Sequence, residues 1–169
     1  MNPNLHFSRK TWYFLLLAAA AASMLNGFAV LAGQDFSFLE LLSFGATGLA
    51  VLFLAAEKSN PMRLRQAYFG VFMVLLLGYI FGAPLGYVFS ALAWPLLLVT
   101  EVRRGMPVQK QLRLVVFAEV MHLVLLLATL AGVNASFFTN LFWVLTAIAR
   151  GAGALALYRA GEPDHPAEG

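Results

Sequence analysis

The sequence predicts an all-α fold, a polytopic transmembrane helical bundle of six spans with both termini in the cytoplasm. Three observations predict it. Of 169 residues, 61% are hydrophobic and only 11% are charged, against roughly 25% charged in soluble domains. The apolar residues gather into six stretches, most of them near the roughly 20 residues that cross a hydrocarbon core of about 30 Å at about 1.5 Å per residue. Finally, the Lys and Arg residues outside those stretches all lie on alternate connections, and the other connections carry none. Such asymmetry orients a membrane protein with its positive loops inside.

The first span, residues 12–32, follows Arg9 and Lys10. A basic flank before an apolar run also suits a secretory leader, but the run is long for one, and it is read as a helix. A short turn with Gly33, Gln34 and Asp35 leads to the second span, residues 36–56, so these two form a tight hairpin. In the next connection, Glu57 to Gln66, Asn60 suits a helix cap and Pro61 the first helical position, where the missing N–H has no partner to lose. The third span is residues 61–82. The fourth, residues 85–99, is short and holds Trp94 and Pro95, so a kink with a freed carbonyl is expected. The third and fourth are read as two spans or a re-entrant pair around residues 82–86. Either choice keeps Lys58, Arg63 and Arg65 on the side of Arg103, Arg104, Lys110 and Arg113, which a single span would not. The fifth and sixth spans are residues 112–131 and 137–158, and the polar tail 161–169 is expected to be disordered.

Aromatic placement agrees with six spans: Trp12, Tyr13, Tyr68 and Tyr158 fall near the inner interface, and Tyr79 and Tyr87 near the outer one. A weak internal similarity links the ends of spans two and four, where LFLAAEK and LLLVTEVRR each place an acid before a basic loop containing Pro.

Net charge is +3, but the basic residues flank apolar segments rather than forming a face with exposed aromatics, which argues against nucleic acid. With no Cys, disulfides, thiolate metal sites and cysteine nucleophiles are excluded. No phosphate-binding loop, zinc-protease or serine-hydrolase motif occurs, and with only Asp35 and Asp164 there is no paired-aspartate site. His6 and His165 lie in the tails, so haem ligation by two histidines fails. No catalytic residue, cofactor or metal is assigned.

Ionisable side chains inside a membrane are costly, about 2.5 to 3.5 kcal/mol each on insertion scales, and mark function or packing. Glu119 and His122 are three apart on one face of span five, and Arg150 interrupts span six. Both Glu119 and Arg150 are expected roughly 10 to 12 Å from the cytoplasmic end of antiparallel neighbours, so they can form an ion pair or a polar pocket for a solute. A metal site of the di-iron type would need a second Glu-x-x-His motif, which the chain lacks. Glu40, near the outer end of span two, is a candidate outer gate. Gly78, Gly82 and Gly86 recur every four residues, and Ala18 to Ala22 form a run; both are smooth tracks for helix packing. Asn26, Asn134 and Asn140 fall in the outer half.

These features fit three functions: a small-solute binding or transport protein with a pocket at Glu119, His122 and Arg150; a non-catalytic subunit or scaffold docking other membrane proteins or a second copy; or an intramembrane lipid-modifying enzyme using Glu119 or His122 as acid or base. Its expected setting is a plasma membrane of the bacterial inner-membrane type. In length, span count, cytoplasmic termini and the Ala18 to Ala22 run, the chain resembles in outline the substrate-binding subunits of energy-coupling-factor vitamin transporters. That resemblance implies a solute-binding bundle and carries over no binding residue.

Overall fold

The computed structural model describes residues 8–82 and 85–161. Pro84, His6 and the tail from residue 162, with Asp164 and His165, lie outside the described residues. Six helices account for nearly all of what is described: α1 (Arg9–Leu31), α2 (Ser37–Ala56), α3 (Met62–Phe81), α4 (Leu85–Arg103), α5 (Gln109–Leu130) and α6 (Ser136–Ala160). Each is long and apolar enough to cross a membrane, and no strand occurs among the described residues. The third and fourth segments are two full-length helices of 20 and 19 residues, the latter continuing through Pro95.

Every connection is short, so consecutive helices run antiparallel side by side. Each packs on the next, and α6 returns to pack on α1. The result is a closed ring in chain order. One end carries the start of α1, the end of α6 and the connections at 57–61 and 104–108, with most of the basic residues; this is the basic end. At the opposite end lie the connections at 32–36 and 131–135 and, after α3, Gly82.

The two ends are filled differently. Tyr13, Leu16, Val51, Leu54, Tyr68, Leu97, Leu98, Val115 and Leu157 form one buried cluster, and all of them belong to the half of their helix nearest the basic end. At the opposite end small residues bring helices close only locally. A Cβ on Gly86 of α4 would strike the carbonyl oxygen of Gly78 on α3, so this pair sets how closely α3 and α4 approach. Gly82 is not part of that contact: it follows α3 at φ 58° with nothing within 4 Å of a Cβ, a left-handed conformation that suits glycine. On α1, it is Ala19 and Ala20 that are buried, with Ala20 against Gly151 of α6, whereas Ala18 is exposed and Ala22 half-buried.

Helix α4 runs four residues beyond the expected end at residue 99, and this carries Glu101 into the bundle. Gly105, at φ 99°, then turns the chain, and the Met106 N–H donates to the Glu101 carbonyl at 3.0 Å. At the basic end α5 begins three residues before, and α6 ends two residues after, the expected limits. Glu119 is ten residues from Gln109 and Arg150 ten from Ala160, about 15 Å from the basic end and close to mid-helix.

Candidate functional site

Two polar constellations occupy the ring's interior, one in each half. In the half towards the opposite end, the incompletely filled ring encloses a cavity of about 530 Å³. All six helices line it, with Asn26 from α1, Glu40 from α2, Tyr79 from α3, Ser90 from α4, His122 from α5 and Asn140 from α6. Its rim is open, since Asp35, Tyr79, Gly82 and Tyr87 are exposed. Its deepest residues, Glu119 and Arg150, are respectively buried and half-buried. The cavity is therefore a funnel that narrows towards the middle of the bundle.

At its floor Arg150 Nε donates to Glu119 Oε1 at 2.7 Å, and Arg150 Nη2 lies 2.7 Å from the same oxygen. Glu119 Oε2 is buried with no hydrogen-bond partner among the described residues. His122, one turn along α5, lines the cavity and has no hydrogen-bond partner in the described structure. On the walls, Ser23 Oγ donates to Glu40 Oε2 at 3.0 Å. Asn26 Oδ1 accepts from the Phe36 N–H at 3.0 Å, which holds the α1–α2 turn. The Thr129 and Thr139 hydroxyls meet at 2.9 Å, joining α5 to α6. Glu40 thus stands in the cavity wall, tied to α1 by one of its oxygens.

The second constellation closes the basic end. Glu101 of α4 is fully buried. Tyr13 Oη of α1 donates to its Oε2 at 3.0 Å, and Tyr68 Oη of α3 donates to its Oε1 at 2.9 Å. Arg104, one turn on, donates from Nη1 to Glu101 Oε2 at 3.2 Å and to Tyr13 Oη at 2.6 Å. Alongside, the buried Arg9 donates from Nε to Glu57 Oε1 at 3.0 Å and also hydrogen-bonds Asn60 Oδ1. Asn60 Nδ2 in turn donates to the Leu54 carbonyl at 2.8 Å. The clasp links α1, α3, α4 and the α2–α3 connection, with each buried carboxylate oxygen of Glu101 satisfied, as low-dielectric burial of a charge requires.

Sequence reasoning passed over this clasp. Tyr13 and Tyr68 were expected at the interface, and both are fully buried. Glu101 reads as the start of a basic loop because Arg103 and Arg104 follow so closely. One local signal was available: Glu101 and Arg104 are at the i, i+3 spacing of a helical ion pair, which implies that the helix extends past residue 99. Nothing local announces that Tyr13, 88 residues earlier in the chain, is the third partner.

The two constellations differ in chemical capacity. In the clasp both Glu101 oxygens are satisfied and out of solvent, and among the described residues there is no open space beside them for a ligand. The cavity holds the Arg150 cation, the carboxylates of Asp35, Glu40 and Glu119, an imidazole, the amides of Asn26 and Asn140 and hydroxyls around open space, so it can offer donors and acceptors to a molecule that enters. Among the described residues no three His, Asp or Glu side chains converge as metal ligands would. No family model, curated protein or solved structure matches the chain.

Proposed function

We propose that this chain is a multi-pass integral membrane protein of the bacterial inner-membrane type that binds a small solute in its central cavity as part of transport. The observation that carries the reading is the funnel itself, lined by all six helices and floored by the Glu119–Arg150 pair. At about 530 Å³ it falls within the roughly 300 to 1,000 Å³ typical of small-molecule sites.

Membrane insertion is supported by the ring's outer surface, where Phe14, Leu25, Phe28, Leu42, Phe117 and Leu127 are each at least half exposed. Apolar patches on that scale are rare on soluble monomers. The basic connections support an orientation with both termini cytoplasmic. In that orientation the cavity faces outwards and the Glu101 clasp seals the cytoplasmic side. A solute enters from outside and reaches Arg150, Glu119 and His122 at mid-depth, with Asn140 and Glu40 along the way. Release to the cytoplasm requires Tyr13, Tyr68 and Arg104 to let go of Glu101.

The test is native mass spectrometry of the protein gently extracted from its own membrane, with the wild type compared to Ser90→Phe and Glu119→Gln. Ser90 lies on the cavity wall and also packs near Gly78 of α3, so Ser90→Phe fills the space from α4 and is read only where its helical circular dichroism matches the wild type. A co-purifying small molecule lost in both variants supports the reading. Stoichiometric protein partners with no small molecule would overturn it in favour of a subunit or scaffold.

A further inference from the structure

A second concavity lies on the outer surface of the ring, at the basic end, between the last turn of α2 and the first half of α3. Its volume is about 370 Å³. The walls are Leu52, Ala56, Met62 and Phe69, and Arg65 and Gln66 are its polar residues. Met62 and Phe69 are seven residues apart on α3, so the groove runs about 10 Å along the helix axis.

Arg65 is held beside this groove by its own helix geometry. The final carbonyls of α2 lack helical partners, and Arg65 Nε donates to one of them, Ala55 O, at 3.1 Å. Neither of its terminal nitrogens has an ion-pair partner among the described residues. The same holds for Lys58 on the adjoining connection and for Arg63 at the start of α3. The one carboxylate of that connection, Glu57, is taken by Arg9. The apolar groove therefore carries one cation of its own, Arg65, with no ion-pair partner among the described residues.

We infer that this groove is a site for one anionic phospholipid, an acyl chain lying along Leu52, Ala56 and Phe69 and the phosphate held by Arg65. The charge selects the occupant. A zwitterionic lipid brings its own cation beside Arg65, and an apolar partner helix would have to bury Arg65 unpaired, which costs more than it returns. Basic pockets between helices on a cytoplasmic side suit anionic headgroups for the same reason. The inference rests on the membrane reading and is independent of any solute in the central cavity.

The experiment reconstitutes the protein in nanodiscs of equimolar phosphatidylglycerol and phosphatidylcholine, releases it into detergent, and counts retained lipids by native mass spectrometry. One phosphatidylglycerol per chain is expected. Arg65→Gln should reduce the preference for phosphatidylglycerol about fivefold, and Ala56→Trp or Leu52→Trp should remove the retained lipid. Lys110→Gln, at the same end but off the groove, should change nothing. Equal retention of the two lipids by the wild type overturns the site, as does undiminished phosphatidylglycerol in a Trp variant whose helical circular dichroism is intact. Displacement of the lipid by excess inorganic phosphate would also overturn it, because the acyl chain would then contribute nothing. A chain that never enters the nanodisc overturns the membrane reading itself, which distinguishes that failure from a wrong lipid assignment.

Discussion

Arg150 sets two guanidinium nitrogens, Nε and Nη2, on a single oxygen of Glu119, each at 2.7 Å. The other oxygen, Oε2, is buried without a partner among the described residues. A forked guanidinium usually spans both carboxylate oxygens. Here it uses one, and the pair keeps acceptor capacity in reserve at the floor of a cavity.

The pair also makes the two residues unequal in their effects on stability. Arg150→Met leaves a buried carboxylate with no counter-charge, which should cost about 3 to 5 kcal/mol. Glu119→Gln retains an oxygen for Arg150, whose half-buried side chain can also reach the cavity, so its cost should be smaller. The double variant should recover part of the loss, with a coupling of about 0.5 to 3 kcal/mol. Unfolding of the four proteins in detergent checks this, and a strictly additive double variant would mean that the pair does not act as a unit.

Glu101 accepts from two tyrosines and one arginine with no exposure to solvent. Tyr13→Phe and Tyr68→Phe should each cost about 1.5 to 3 kcal/mol, the range for hydrogen bonds to a charged group. Glu101→Leu should cost more than either, since it leaves both hydroxyls and Arg104 without their acceptor. Melting temperatures of the purified variants read this directly; an unchanged value for Tyr68→Phe would show that the clasp is not closed in the free protein.

Gly86→Ala places a methyl group against the carbonyl oxygen of Gly78, and Gly78→Ala places one 2.7 Å from Ser90 Oγ. Backbone has less room to yield than a side-chain tip, so Gly86→Ala should be the more damaging, by about 1 to 3 kcal/mol as α3 and α4 are forced apart. Gly70, also in α3, has nothing within 4 Å of a Cβ. Gly70→Ala should be neutral or gain up to about 1 kcal/mol of helix propensity. Thermal unfolding of the three variants separates packing from propensity.

Because the chain has no Cys, single cysteines report topology without background. On intact cells, Asp35→Cys should react with a membrane-impermeant maleimide, and Lys110→Cys should react only after permeabilisation. Reversed labelling would place the basic end outside and turn the cavity towards the cytoplasm.

Glu119 and Arg150 were conspicuous in the sequence because a charge inside an apolar run stands out against its neighbours, and antiparallel adjacency put them at similar depth. Glu101 did not stand out, since it sits among other charges at the end of its run. The same masking hid Arg9 and Glu57, which look like ordinary loop charges and are joined in a buried network with Asn60. Tyr13 and Tyr68 misled in the other direction: a tyrosine near the end of an apolar helix suits an interface belt, and only a nearby buried acceptor makes the interior preferable.

The number of helices, their approximate limits and the segregation of basic residues to one end were determined by the sequence alone, because each follows from local hydropathy, length and charge. Which face of each helix turns inwards was decided only in the tertiary structure. On a bundle whose outer surface is as apolar as its core, hydrophobic periodicity gives little sign of the buried side, and packing of small residues and pairing of polar ones take over. The closing of the ring between α6 and α1, the cavity in one half and the Glu101 clasp in the other all depend on contacts between residues distant in the chain. No window of sequence contains both partners of such a contact, so its energy has no local signature.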